Sequence, residues 1–219
     1  GAVFHRIWDW ELPLHYGNVE AEYSALTQGV GLVDHSAKGR IRSYGKDALD
    51  LLNRLSTNKL EALPQGTGVG TILTTNKGRV IDLLLVAAMA DHLLLITSPQ
   101  QRQRILDWID FYTFSEDVRL EDVTEEEVMV GIIGPQAPQV VHAITEPDSA
   151  SQNRLHWITT RIADVQASLF RTDFAGVPQY NILAPASRAE ALWEALQEIG
   201  ESNNITPVGT GALDTLRVA

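Results

Sequence analysis

Residues 68–97 read G-V-G-T-I-L-T-T-N-K-G-R-V-I-D-L-L-L-V-A-A-M-A-D-H-L-L-L-I-T. Three apolar runs fill this stretch, and turn-forming residues separate them at Asn76 with Gly78 and again at Ala90 with Asp91. Asn and Gly in such a position favour the tight turn of a β-hairpin. The stretch therefore predicts three consecutive antiparallel strands, and the segments around it decide what packs on them.

Helical patterns flank the three strands. Before them, apolar residues recur at helical spacing and predict a helix that begins near Asp47 and ends near Ser56. After them, a helix is predicted over about 100–111, followed by a strand at 117–123 in which apolar and charged residues alternate. Residues 47–123 therefore predict an α+β layer pair, an antiparallel sheet with helices on one face.

The two outer segments predict a second α+β part. Helices are expected over 19–28 and 187–200, and a further helix begins near 209. Apolar runs at 128–133, 155–162, 166–172 and 179–184 predict strands. The polar stretch E-P-D-S-A-S-Q-N at 146–153 predicts a loop. No internal repeat at a fixed period is visible.

The composition argues against several classes of protein. Without cysteine, the chain holds no disulfide, thiolate zinc site or cysteine nucleophile. A net charge of −11 argues against broad binding to nucleic-acid phosphates. The longest apolar run, 80–89, is interrupted by Asp82 and is too short to span a membrane. The N-terminus lacks the pattern of a secretory signal, so a cytoplasmic location is expected.

One carboxylate interrupts the middle strand. Strict alternation places Asp82 on one face and Leu83 on the other, and both faces are otherwise apolar, so the strand is predicted to be central. A buried carboxylate needs hydrogen-bond donors. In a structural role, Asp82 would accept from the backbone or from Arg40 or Arg79. In a functional role it would meet a ligand, and both roles stay open.

Other patterns predict no catalytic chemistry. The six histidines lack metal-ligand spacing, and the glycines at 66, 68 and 70 do not lie between a strand and a helix as a phosphate loop requires. No G-x-S-x-G motif is present, and no serine is paired with a nearby His and Asp. The sequence predicts neither a metal site nor hydrolase chemistry.

Six blocks, in order and with compatible spacing, resemble the glycine cleavage T-protein (aminomethyltransferase) superfamily and its folate-binding relatives. G-L-V-D-H-S-A-K-G, for example, resembles the family's Gly-Leu-Phe-Asp-Val-Ser-His-Met-Gly. P-V-G-T-G-A-L-D-T-L-R resembles Pro-x-Gly-Leu-Gly-Ala-Arg-Asp-Thr-Leu-Arg. The blocks are spread over nearly the whole chain and lie at 10–17, 31–39, 52–58, 76–82, 132–137 and 207–217.

The resemblance implies an α+β fold in which a ferredoxin-like antiparallel sheet-and-helix part, residues 47–123, is inserted in a second α+β part. That second part, residues 1–46 with 124–219, is expected to be the folate-binding domain. Family members normally continue into a C-terminal β-barrel domain, and this chain is expected to stop before it. A fragment or an unusually short member is therefore expected.

The same comparison implies a changed catalytic position. In the transferases the strand carries Gly-Gly-Ile-Ile-Asp-Asp-Leu, and the second Asp is the catalytic one. Asp82 corresponds to the first Asp and Leu83 to the second, so the general acid–base role has no occupant. The glutamate that grips the pterin ring corresponds to Asn181. The resemblance implies that a tetrahydrofolate-type ligand is faced by Arg217, Asn181, Thr97, Gln100, Asp82 and Phe174.

Three functions are compatible with these residues. The first is a non-catalytic folate-binding protein similar to the branch linked to iron–sulfur cluster repair. The second is an active tetrahydrofolate-dependent aminomethyl- or methyltransferase in which Asp82, moved by a strand bulge, replaces the lost carboxylate. The third is an interaction module that kept the fold and lost the pocket.

Overall fold

A computed structural model describes residues 1–145 and 153–219, and its elements follow the predicted runs closely. The strands in the described residues are β1 (Val3–Ile7), β2 (Trp10–His15), β3 (Gly31–Asp34), β4 (Gly39–Tyr44), β5 (Gly68–Thr74), β6 (Val80–Ala88), β7 (Leu93–Thr97), β8 (Arg119–Asp122), β9 (Glu127–Ile133), β10 (Trp157–Ile162), β11 (Val165–Phe174), β12 (Val177–Pro185) and β13 (Thr206–Val208). The α-helices are α1 (Val19–Gln28), α2 (Ala48–Leu55), α3 (Arg102–Phe111), α4 (Ala137–Ile144), α5 (Ala189–Gly200) and α6 (Thr210–Val218).

The described chain divides into two units. The central unit comprises residues 37–125, and the flanking unit comprises residues 1–36 together with 126–219. Strand β4 lies in the sheet of the central unit, because it pairs with β7 on one side and β8 on the other. The sequence interpretation had grouped residues 1–46 with the flanking part. Sequence alone does not show which sheet a short strand such as β4 joins.

The central unit has the predicted antiparallel sheet with helices on one face. Its strand order is β5-β6-β7-β4-β8, and the β-hairpin between β5 and β6 turns at Gly78, whose φ is 70°. Without β5, the order β6-β7-β4-β8 is that of a ferredoxin-like fold. The apolar stripes of α2 and α3, including Leu51 and Ile105, pack against the sheet through Leu84 and Val86. The α+β fold class is confirmed.

The flanking unit is built on a second sheet of order β10-β11-β12-β9-β3-β13, in which only β13 and β3 are parallel. One face packs against α4 and α5 through residues such as Val140 and Leu196. At the β3–β13 end, a smaller core that includes Leu26 and Leu216 packs α1 and α6 against the sheet. A separate two-stranded sheet is formed by β1 and β2.

The two units repeat one chain path, although no repeat is visible in the sequence. The order β4–α2–β5–β6–β7–α3–β8 of the central unit recurs as β9–α4–β10–β11–β12–α5–β13. Corresponding strands take corresponding places in the sheets, except that β3 is added between β9 and β13. Each first strand ends in a glycine of positive φ, Gly45 at 105° and Gly134 at 133°. The sequence shows no repeat at a fixed period, because the repeat is one of topology and not of residue identity.

The remaining sequence predictions concern a loop, membrane-spanning helices and metal clusters. The loop predicted at 146–153 falls, except for its last residue, outside the described residues. Among the helices of the described chain, none is long and apolar enough to cross a membrane. Within the same residues, no cluster of three or more His, Cys, Asp or Glu side chains could hold a metal ion.

Candidate functional site

Asp82 lies at an irregularity near the start of β6. It pairs with Leu73, whereas Val80 pairs with Thr74, so Ile81 is an extra residue on β6 and forms a bulge. Both Ile81 and Asp82 are buried as a result. The bulge that the sequence interpretation considered is therefore present, and it breaks the strict alternation that was predicted for this strand.

The carboxylate of Asp82 is held by one residue. Its Oδ2 accepts from the backbone N–H of Ser98 at 2.7 Å, and its Oδ1 accepts from the Ser98 hydroxyl at 2.7 Å. Ser98 directly precedes a 3-10 turn, Pro99–Gln101, that leads into α3. A carboxylate at the start of a helical segment satisfies free N–H groups and complements the local dipole. Asp82 therefore joins β6 to the β7–α3 junction, a backbone partner of the kind that was predicted.

Leu83, the next residue, points away from the core. Its side chain is 67% exposed, and that of Val80 is 62% exposed, so this end of β6 has one apolar face open to solvent. The prediction of two buried faces is wrong here, because β6 is buried on both sides only from Val86 onward. Where the resemblance places the catalytic carboxylate, the structure has an exposed isobutyl group.

The other predicted residues of the central unit lie close to Asp82 along the chain. Thr97 ends β7, is buried, and donates from its hydroxyl to the carbonyl oxygen of Ser98 at 3.1 Å. Gln100 is exposed in the 3-10 turn. The β7–α3 junction thus brings Thr97, Gln100 and the Asp82 carboxylate into one region of the fold, and Ser98 bonds both Thr97 and Asp82.

Arg40 and Lys38 form a second polar feature of the central unit. The buried Arg40 guanidinium donates to the carbonyl oxygen of Lys38 at 2.6 Å and to that of Thr124. These bonds hold the backbone before β4, and burial lowers the pKa of the Lys38 amine to about 8. An amine with that pKa exchanges its proton near neutral pH. Nothing in the sequence singled out Lys38.

Asn181 belongs to a buried polar network of the flanking unit. Its Oδ1 accepts from the Gln179 side chain at 2.6 Å, and its Nδ2 donates to the Thr172 hydroxyl at 3.0 Å. The Nε2 atom of Gln179 also lies 3.3 Å from Nε2 of His35. Gln179 and Asn181 are two residues apart on β12 and share the face opposite the main core. Each carries only neutral donors and acceptors.

An aromatic pair lies on the same face of this sheet. Phe170 is the cross-strand partner of Asn181, and its ring stacks on Trp157 with 3.9 Å between centroids. Both rings are buried. Neutral amides beside stacked aromatic rings are the chemistry that recognises a flat, uncharged heterocycle.

Phe174 and Arg217, the remaining predicted residues, lie elsewhere in the flanking unit. Phe174 ends β11 and packs against the smaller core with Leu216. Arg217 is in the last turn of α6, where its guanidinium bonds Asp214 at 3.3 Å and its side chain is 62% exposed. The structure does not join Arg217 to the Asn181 network by any hydrogen bond among the described residues.

A buried carboxylate near α6 was also missed by sequence reasoning. Glu22 accepts from the backbone N–H of Tyr16 at 2.7 Å and from that of Gly209, which precedes α6, at 2.8 Å. Burial, with Asp34 and Glu22 nearby, raises the pKa of the Tyr16 phenol to about 12. Glu22 therefore fixes the start of α6 in the same way that Asp82 fixes the start of α3.

The missed residues differ in whether the sequence carried a signal for them. Ser98 followed by Pro99 after an apolar run is a recognisable helix start, so a donor near Asp82 could have been anticipated. Thr172 and Gln179 are cross-strand partners in the β11–β12 hairpin, but His35, which follows β3, is far from them in sequence, and no local pattern joins it to them. Only the pairing of β3, β9, β12 and β11 in one sheet brings them together.

The chain is similar to known proteins over its whole length. Residues 1–219 match the GCVT N-terminal domain family. An aminomethyltransferase of Chloroherpeton thalassium is 31% identical over 219 residues, which are 100% of the chain and 60% of that protein. An aminomethyltransferase of Geobacillus sp. is 31% identical over 210 residues, 95% of the chain and 57% of that protein. The chain thus spans about 60% of the length of such relatives.

Two solved structures share the fold. The glycine cleavage system aminomethyltransferase T from Bartonella henselae superposes with a TM-score of 0.84 at 23% identity, over 100% of this chain and 58% of that one. A chain of the heterotetrameric sarcosine oxidase from Corynebacterium sp. U-96 superposes with a TM-score of 0.56 at 17% identity, over 92% and 93% of the two chains. Because the family match extends over residues 1–219, the chain belongs to the T-protein superfamily through a GCVT N-terminal domain.

Proposed function

We propose that the chain binds tetrahydrofolate or a derivative and does not carry out aminomethyl transfer. One observation supports the proposal that aminomethyl transfer is absent. The position that the resemblance gives to the catalytic carboxylate is Leu83, an exposed hydrocarbon side chain, while both oxygens of the neighbouring Asp82 are bonded to Ser98. A leucine can neither take up a proton nor stabilise a developing positive charge.

The binding half rests on family membership and on the chemistry of the Asn181 network. The aminopyrimidinone part of a tetrahydropterin is flat and uncharged and has a donor–acceptor edge, which suits neutral amides beside aromatic rings. After its bonds to Gln179 and Thr172, Asn181 retains one N–H and one lone pair for such an edge. We assign Asn181 and Gln179 to ring recognition, and we retain Thr97, Gln100, Phe174 and Arg217 as proposed ligand residues. A bound folate would carry a one-carbon unit, which in this proposal the chain holds without aminomethyl transfer.

Within the superfamily we place the chain in the folate-binding branch linked to iron–sulfur cluster maintenance. The support is the emptied catalytic position combined with a buried polar network. We also propose that residues 1–36 with 126–219 form the folate-binding domain, since the Asn181 network lies wholly within that unit. Purified protein that transfers an aminomethyl group at the rate of an active relative would contradict this assignment.

Calorimetric titration with tetrahydrofolate and with 5-formyltetrahydrofolate tests binding. We expect saturable binding that Asn181→Ala weakens at least roughly tenfold, because one or two ring hydrogen bonds are lost. Asn203→Ala is the matched control, since in the described part of the chain the Asn203 side chain bonds the neighbouring Ser202 hydroxyl and lies outside the Asn181 network. Absence of saturable heat with both folates, checked by intrinsic tryptophan fluorescence, would refute the proposal.

A second candidate, an active aminomethyltransferase, is favoured by the names of the relatives and by the bulge at Asp82. Three variants separate it from the first. If Asp82 is the catalytic base, Asp82→Asn abolishes transfer by the wild type. If the Leu83 position is simply empty, Leu83→Asp gains transfer by about 10²–10⁴-fold over the wild type, and Leu83→Asn, which has the same shape without the charge, gains none.

A further inference from the structure

The two edges of the central sheet are treated differently. Along the β5 edge, residues 56–58 run beside the strand and bond to it. The Thr57 N–H donates to the carbonyl oxygen of Ile72 at 3.0 Å, and the Asn58 side chain donates to that of Gly70 at 2.6 Å. This edge is therefore covered. An uncovered edge strand presents free N–H and C=O groups that can pair with another chain.

The β8 edge has no such cover in the described part of the chain. Val123 N–H donates to the carbonyl oxygen of Arg40, and Arg42 pairs with Glu121 in the same register. Because hydrogen-bonded residues alternate along an antiparallel strand, residues 119, 121 and 123 face β4, and Leu120 and Asp122 direct their backbone groups outward. Among the described residues, no hydrogen bond to the outward groups of Leu120 is present.

A groove runs beside this edge on the helix side of the sheet. Its volume is about 390 Å³, its apolar lining includes Leu106, Val118 and Leu120, and Asp107 and Asp110 of α3 stand at its rim. Farther along the same segment, Phe111 is 65% exposed and Phe114 is 81% exposed. Apolar side chains therefore lie beside the open edge, with charged side chains among them.

We propose that β8 pairs in antiparallel fashion with β8 of a second copy of this chain, with Leu120 at the centre. A two-fold axis perpendicular to the sheet then gives a continuous ten-stranded sheet, with the helices of both copies on one side. The two Leu120 residues form the hydrogen-bonded pair, because their N–H and C=O groups are the ones that face outward. Their side chains meet on the helix side.

The charges on β8 favour the register centred on Leu120 over the registers centred on residues 119 and 121. With Leu120 central, Arg119 of each copy lies opposite Glu121 of the other, which gives two ion pairs on the other face. Centring on residue 119 would place two arginines opposite each other, and centring on residue 121 would place two glutamates. Centring on residue 118 requires an N–H that already bonds the carbonyl oxygen of Glu116 at 3.0 Å.

The test is the oligomeric state of the full chain, measured by sedimentation over a wide range of loading concentrations. We expect a reversible dimer in the wild type. Arg119→Glu should raise the dimer dissociation constant at least about tenfold, since both ion pairs become repulsive, and Arg119→Glu with Glu121→Arg should restore it. Arg161→Glu, the same charge change at an exposed site on β10, is the matched control.

A second variant removes the backbone bonds. Leu120→Pro deletes an N–H that no β4 residue uses, so we expect the fold to persist and the dimer to be lost. A wild type that stays monomeric at every concentration would overturn the proposal. So would a dimer that neither Arg119→Glu nor Leu120→Pro weakens, since its interface would then lie elsewhere. These outcomes are independent of folate binding.

Discussion

The central and flanking units follow one chain path but carry their polar groups in different places. In the central unit, the Asp82 carboxylate lies at the junction of β7 and α3 and bonds the residue that begins the helical segment. In the flanking unit, the buried side chains of Asn181 and Gln179 lie in the middle of β12 and bond each other on the face of the sheet opposite the main core. One carboxylate stabilises a junction, whereas the two amides form a neutral, buried pair.

This difference separates scaffold from site. The shared path of strands and helices needs only the glycine turn, the apolar stripes and the strand pairing, and both units have these. The polar residues differ between the units: the central unit has Asp82 bonded at the end of β7, and the flanking unit has Asn181 and Gln179 within β12. A fold of this kind therefore does not determine its function, which depends on where such groups are added.

The largest effect on stability is expected at the glycine turn that both units share, which is Gly45 in the central unit. A Cβ at Gly45 would collide with the carbonyl oxygen of Asp117, and φ there is 105°. We expect Gly45→Ala to lower the free energy of unfolding by roughly 3 kcal/mol or more, through strain and displaced backbone. Denaturant unfolding measures this effect.

Gly78→Ala is the control for that substitution, because Gly78 also has a positive φ, of 70°, but nothing lies within 4 Å of its Cβ position. It should cost about 1 kcal/mol. Equal losses in the two variants would show that the close approach to Asp117 does not matter. The flanking counterpart, Gly134, has a Cβ position 2.5 Å from the Gly29 carbonyl oxygen and should behave like Gly45.

The Asn181 network gives the next largest effect. Asn181→Leu leaves the buried Gln179 amide and the Thr172 hydroxyl without their partner, so we expect a loss of about 2 kcal/mol in unfolding free energy. Thr172→Val removes only one of these bonds and should cost about half as much. If Asn181→Leu is neutral, the network is not a buried polar unit as described.

The Asp82 junction should respond more weakly. Ser98→Ala removes the hydroxyl donor to Asp82 but keeps the backbone N–H bond, and we expect a loss of about 1 kcal/mol. Ser202→Ala, at an exposed serine of the flanking unit, is the control and should change little. A Ser98→Ala protein as stable as that control would mean that the junction does not depend on this hydrogen bond.

The smallest effect concerns the loops that follow α3 and α5. After α3, the Arg54 guanidinium and backbone N–H groups, including that of Phe114, lower the pKa of Glu116 from 4.5 to about 2. The loop after α5 is closed by the neutral Asn204, whose φ is 53°. The first loop should therefore depend on pH.

A lowered folded-state pKa means that Glu116 stabilises the fold fully above about pH 4.5 and progressively less as the pH falls toward 2. The melting temperatures of wild type and Glu116→Gln should differ slightly at neutral pH and converge in acid. A difference that stays constant with pH would show that the charge of Glu116 contributes nothing. Because the ion pair between Arg54 and Glu116 is partly exposed to solvent, this difference in melting temperature should also shrink with added salt.

Most of the secondary structure could be predicted from the sequence, because it depends on local patterns. The β5–β6 hairpin at Gly78, the apolar stripe of α2 and the bounds of α1 at Val19–Gln28 all matched. Strand alternation failed at Ile81, where a bulge is set by pairing with β5 and no residue pattern announces it. Sequence reasoning on the candidate site identified Asp82 and Asn181 but missed Ser98 and Gln179, which bond them.

The sequence by itself determined the α+β class, the family blocks and the unusual presence of a leucine beside Asp82. These follow from composition, periodicity and residue identity, which are local properties of a chain. Only the tertiary structure decided that β4 joins the central sheet, that Leu83 faces solvent while Asp82 faces Ser98, and that His35 meets Gln179. Those facts depend on pairing between residues far apart in sequence, and strand register, not residue type, sets which side chains meet.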